Sequence, residues 1–172
     1  LALTARLQSL TLDMPRAGRL AQLLAIELDS AAGRVVQAAA ASKLLANGTR
    51  AELLVQGHAL LTAGRTVEVS DALQTWVVAH PKDAQAWHLL SEAWTRQGEV
   101  TRAIRADAES RFAQLDYPAA LDRLKAAQEM LRSGNLAAQG RNAHIEASII
   151  DTRTRQVAAL IREQAREDKL DR

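Results

Sequence analysis

The sequence predicts an all-α protein, a solenoid-like array of about nine short helices paired into hairpins and closed by a capping C-terminal helix. Three observations carry that expectation. Of the 172 residues, 48% are hydrophobic but only 3% aromatic, and three are proline; Ala and Leu supply most of the apolar side chains, a mixture that favours helix strongly. Apolar residues recur at helical spacing nearly throughout, without strand alternation. Gly, Pro, Asn and Asp interrupt these stripes about once per helix.

Taken in order, Leu3, Leu7 and Leu10 mark a first stripe; Leu20, Leu23, Leu24 and Leu28 a second; Val36, Ala39, Ala40 and Leu44 a third; and Leu53, Leu54, Leu60 and Leu61 a fourth. Breaks fall at Asp13 to Gly18, Asp29 to Gly33, Asn47-Gly48, Ala63-Gly64, His80-Pro81, Gln97-Gly98, Asp116 to Pro118 and Ser133 to Gly140. Lone Gly after an apolar run is a C-cap signal, and Asp29, Ser30, Thr49, Ser70, Asp83 and Thr101 are candidate N-caps. Three amphipathic helices are then expected between Ala84 and Gln128. Beyond a loop, Ile145, Ile149, Ile150, Val157, Leu160 and Ile161 predict a last long helix to about Lys169. By its breaks the chain divides into N-terminal helices of divergent repeat (1–48), tetratricopeptide-like repeats (49–133), and a loop with the capping helix (134–172).

Spacing supports a repeat. Gly33, Gly64, Gly98 and Gly134 lie 31, 34 and 36 residues apart, and LLANGTRAE at Leu44 to Glu52 is echoed by LLTAGRTVE at Leu60 to Glu68. A 34-residue helix-turn-helix unit is the tetratricopeptide (TPR) period, and a hairpin of this kind buries its apolar stripe only by stacking on its neighbours. Trp87, Leu90 and Trp94 stand where that pattern has its aromatic, Leu and second aromatic, and Ala103 marks the small residue of the following helix. One helix later Ala108, Phe112, Tyr117, Ala120, Leu124 and Ala127 fit the same pattern. Leu115 stands where a turn Gly is expected, which predicts a looser turn.

The string HPKDAQAWHLLSEAW, followed by RAIRADAESRFAQLDYPAALDRLKAAQ and IEASIIDTR, resembles the C-terminal TPR region of bacterial periplasmic zinc metalloproteases of the HtpX and BepA type. The resemblance covers roughly Ala51 to Arg155, and the combination of RAIRADAESR with IEASIIDTR is its most specific part. It implies a protein- or peptide-binding domain, the substrate- or partner-docking part of a zinc metalloendopeptidase of cell-envelope protein quality control, in the periplasm or at the envelope. The alternative is a free-standing TPR scaffold or chaperone-like adaptor without an enzyme. Zinc is expected in the protease domain, held by an HExxH helix that this sequence does not contain, so no catalytic, metal or cofactor residue is assigned here. The start LALTARLQSL has neither an initiator Met nor a signal-peptide layout, so the chain is expected to be a piece of a longer protein.

The remaining chemistry is sparse. A formal charge of +2 with interspersed signs provides no uniform field for phosphate backbones, so nucleic acid is not an expected partner. The absence of cysteine rules out disulfides and thiolate sites. His88 and Glu92 share one helix face, yet no second pair or Cys completes a metal shell. Ser91 and Ser110 lack a Gly-rich elbow, and Asp107 with Arg111 reads as an intrahelical ion pair. Trp87→Ala is expected chiefly to unfold the array. Polar candidates for a concave, peptide-binding face are Gln85, His88, Glu92, Arg102, Arg105 and Glu109, Arg being suited to gripping carboxylates through its forked donors. Expected partners are protein or peptide segments, the absent protease domain, and a second copy through Leu1 to Leu10 or the final helix.

Overall fold

The computed structural model describes residues 15–42, 48–133 and 141–170. Among them it is all-helical, with eight helices and no strand: α1 (Pro15–Ala31), α2 (Val35–Ala41), α3 (Arg50–Thr62), α4 (Thr66–Ala79), α5 (Ala84–Gln97), α6 (Val100–Ala113), α7 (Tyr117–Ser133) and α8 (Arg141–Leu170). That is one fewer than the nine expected. The first stripe, Leu3 to Leu10, and the Gly134 turn lie outside the described residues, as does Leu44. The chain forms two compact units, 1–74 and 75–172, and the division falls within α4.

In the first unit α1, α2 and α3 pack on one another. Their contact is built on Ile26, Ala38 and Ala59, all essentially inaccessible, with Val55 against them; two small residues beside one Ile let the helices approach closely. Helix α3 begins in a capping box. Thr49 Oγ1 accepts from the Glu52 amide at 3.3 Å, and the Glu52 carboxylate accepts from the Thr49 amide at 2.7 Å. Arg19 of α1 approaches Glu52 at 3.5 Å. These bonds hold the Glu52 carboxyl below its ordinary range, the Thr49 amide first among the causes.

In the second unit α5 packs on α6, α6 on α7 and α7 on α8, and α6 also touches α8. Two serine hydroxyls tie the first pair at both ends: Ser91 Oγ donates to Ala103 O and Ser110 Oγ to Ala84 O, each at 2.8 Å. The start of one helix therefore lies against the end of the other, so α5 and α6 are antiparallel. Ala86, Leu89, Leu90, Ala93 and Trp94 form the buried stripe of α5. The following layer buries Ala108, Ala120, Leu124, Ala127, Leu131, Ile150 and Val157, with Ile104, Phe112 and Tyr117 at its margin.

The turns explain the punctuation. At Gly98 the backbone enters the left-handed region (φ 78°), its amide bonds Thr95 O at 3.1 Å, and the Glu99 amide reaches back to Trp94 O at 2.9 Å. This satisfies helix-end carbonyls in the Schellman manner. Gly33 and Gly64 close α1 and α3 with the same pair of bonds. So does Leu115, at φ 66°, with Leu115 N to Phe112 O at 2.9 Å and Asp116 N to Arg111 O at 3.0 Å. The expectation of a looser turn is corrected: the hydrogen bonds are kept, and the leucine bears the backbone strain.

Other expectations shift too. Asp29 and Ser30 lie inside α1, Ser70 inside α4 and Thr101 inside α6, so none is an N-cap. Asp29 instead pairs with Arg34 across the turn at 2.6 Å. Thr49 and Asp83 do cap their helices, and Asp116 Oδ1 accepts from the Ala119 amide at the start of α7. The break expected over Asp13 to Gly18 gives way to α1 from Pro15 onward, as Pro is pre-organised for a first helical turn.

Candidate functional site

The six polar candidates divide between α5 and α6, and the structure treats the two sets differently. On α5, Gln85 and His88 are exposed and Glu92 is half-buried; His88 Nε2 lies 3.4 Å from Glu92 Oε1. Among the described residues no three His, Cys, Asp or Glu side chains gather closely enough to hold a metal ion.

On α6, Arg102 lies 3.9 Å from Glu99, whereas Arg105 and Glu109 turn to α8. Arg105 Nε donates to Glu146, one of the few buried charged residues, and its guanidinium sits 5.7 Å from the centre of the Trp94 ring. Glu109 receives a two-pronged bond from Arg153, Nε to Oε1 and Nη2 to Oε2 both at 2.8 Å, and Arg153 lies 3.9 Å above the Phe112 ring. Each arginine is thus held between a carboxylate and an aromatic face, an arrangement its planar fork allows and a lysine would not reproduce. Ascending numbers on α6 meet ascending numbers on α8, so these two helices run parallel. Arg105 and Glu109 are therefore already committed to the neighbouring helix. Glu146 and Arg153 were not legible as partners, because nothing local marks contacts 41 and 44 positions away.

The described residues include two shallow, open pockets of about 280 Å³ each. One lies on α8, lined by Ser148, Ile149, Thr152, Arg153 and Gln156. The other runs between α5 and α6 past Ser91, Thr95, Val100 and Ile104 to Asp107. Asp107 carries two ion pairs, the one with Arg111 at 3.7 Å and another with Arg123 of α7 at 2.9 Å. Ser91 and Ser110 donate to backbone carbonyls, which is structural work.

Of the repeat-core residues, Leu90, Trp94, Ala103, Ala108, Ala120, Leu124 and Ala127 are buried. Trp87, Phe112 and Tyr117 are half-buried; Trp87 Nε1 donates to Pro81 O at 3.0 Å, and the Phe112 and Tyr117 rings meet at 5.0 Å. The turn between α4 and α5 is braced by side chains. Trp76 stacks on His80 with ring centres 3.9 Å apart, and its Nε1 donates to Asp83, which also caps α5. Among the described residues no helix is long and apolar enough to cross a membrane. No protein-family model and no curated protein matches the chain.

Proposed function

We propose that this chain is a protein-binding helical-repeat domain of the TPR kind, the docking part of a cell-envelope zinc metalloprotease whose catalytic domain lies elsewhere. One observation carries the repeat reading: Ala86, Leu90 and Ala93 on α5 recur 34 positions later as Ala120, Leu124 and Ala127 on α7, all six buried. Small residues at that spacing let consecutive hairpins stack at close range, and stacked hairpins present an extended side on which polypeptide segments can lie. The RAIRADAESR and IEASIIDTR segments support the protease affiliation.

In mechanism, such a domain binds extended or helical segments at modest affinity and raises their concentration near a separate active site. With Arg105 and Glu109 committed to α8, Gln85, His88, Glu92 and Arg102 remain as the candidates, joined by the wall of α8 around Ile149.

Two experiments separate the parts of this reading. Panning a peptide-display library on the immobilised chain is expected to enrich sequences with dissociation constants in the micromolar range, about −8 kcal/mol; failure to enrich any peptide counts against binding. Reading the coding sequence upstream of Leu1 is expected to reveal an HExxH helix, and a continuous reading frame without one favours the free-standing scaffold. The chain itself is expected to neither retain zinc nor cleave casein.

A further inference from the structure

We propose that the charges between α6 and α8 act as a register lock, admitting one placement of the last helix along the array. This stands independently of the function proposed above.

The apolar side of α8 fixes its position only in part, and the charges complete it. Ile150 and Val157 are its fully buried apolar residues, and they lie seven apart, close to two helical turns. A seven-residue slide keeps one branched aliphatic in a buried place, Val157 where Ile150 sits or Ile150 where Val157 sits, against Ala108, Leu124 and Ala127, and gives up another, with Gln164 and Asp168 replacing Val157 and Ile161 in the first case and Thr154 replacing Ile161 in the second. The ionic contacts are spaced by the same seven residues but carry opposite signs. Glu146 faces Arg105, and Arg153 faces Glu109. Sliding α8 so that each residue takes the place of the one seven before it brings Arg153 against Arg105. The reverse slide brings Glu146 against Glu109. Either displacement replaces attraction by like-charge repulsion at sites where the side chains are at most about one quarter exposed, with 16% and 10% for Arg105 and Glu146 and 12% and 24% for Glu109 and Arg153. Screening by solvent is weak there, and a polar pair in a mostly apolar interface is a well-attested means of fixing register.

The test uses the full chain. It has no cysteine, so Ala126→Cys on α7 and Glu163→Cys on α8, both at exposed positions, give two unique spin labels whose separation reports where α8 lies. A seven-residue slide moves a helix by about 10 Å along its axis. The unaltered pairs should give one distance. Arg105→Glu should add a shorter distance, because Arg153 then finds a partner after the first slide; Glu109→Arg should add a longer one, because Glu146 does so after the reverse slide. Reversing all four charges should return the original distance alone. Folded Arg105→Glu and Glu109→Arg chains that both keep the single original distance would overturn the lock and leave the pairs as contributors to stability only. If either reversal prevents folding, Arg105→Gln and Glu109→Gln are read in the same way. A broadened distribution supports the lock, and an unbroadened one overturns it.

Discussion

Leu115 holds a backbone conformation that L residues avoid, and its side chain is 71% exposed, so it has little burial to set against the strain. The left-handed region costs a residue unbranched at Cβ about 1–2 kcal/mol, and glycine gives back about 0.5–1 kcal/mol through its freer unfolded state. Leu115→Gly is therefore expected to stabilise the chain by about 0.5–1 kcal/mol in urea unfolding, with Leu115→Ala close to neutral; a loss of stability in the glycine variant would show that the leucine side chain holds the turn. At the start of α3, Thr49→Ala removes the side-chain acceptor of a capping box and should cost about 1 kcal/mol. Its partner sets an acid limb. The Thr49 amide holds the folded Glu52 carboxyl below the ordinary glutamate value of 4.5, so its contribution is present in full above that value and is lost as pH falls through the lower folded one. Stability should decline below about pH 4.5 on this account, and Glu52→Gln should flatten that part of the profile in pH-dependent thermal unfolding. An unchanged acid limb in that variant would assign the decline to other carboxylates.

Among the helices, α5 is anchored by Trp94 rather than Trp87. Trp94 is 2% exposed, whereas Trp87 is half-buried beside the His80-Pro81 turn and spends its indole N–H on Pro81 O. Trp94→Ala should cost about 3–5 kcal/mol, and Trp87→Ala about 2 kcal/mol from partial burial and one lost hydrogen bond. Thermal midpoints of the two variants rank them directly, and a larger loss at Trp87 would contradict the burial argument. The i, i+3, i+7 spacing of Trp87, Leu90 and Trp94 identified the right helix but could not order the two rings, because depth depends on which neighbour lies over each one. The end of α8 contrasts with its middle: every residue from Arg162 to Leu170 is exposed. Arg162, Glu163, Arg166, Glu167, Asp168 and Lys169 charge this end on several sides and leave it without a continuous apolar stripe.

Across the chain, the three tryptophans, Trp76, Trp87 and Trp94, all belong to the unit spanning 75–172, while helical circular dichroism reports both units. Units that bury separate cores need not unfold together, and in repeat-like chains cooperativity depends on nearest-neighbour contacts. Urea unfolding followed by tryptophan fluorescence and by dichroism is expected to give non-coincident transitions, and Ile26→Ala should move the dichroism curve while leaving the fluorescence midpoint in place. Coincident curves that shift together would show one cooperative unit.

The all-helical class, the Gly33, Gly64 and Gly98 turns and the Thr49 and Asp83 caps were legible in the amino-acid order. These are local matters: backbone conformation, side-chain bonds within three residues, and periodicity along one stretch of chain. That Leu115 replaces a turn glycine without loosening the turn, that Asp29, Ser30, Ser70 and Thr101 sit inside helices, and that Arg105 and Glu109 are spent on Glu146 and Arg153 emerged from the packed helices. A charge finds its partner through the crossing of helices distant in sequence, and that crossing is set by how small and large residues interlock across the interface, which no short stretch of the chain encodes.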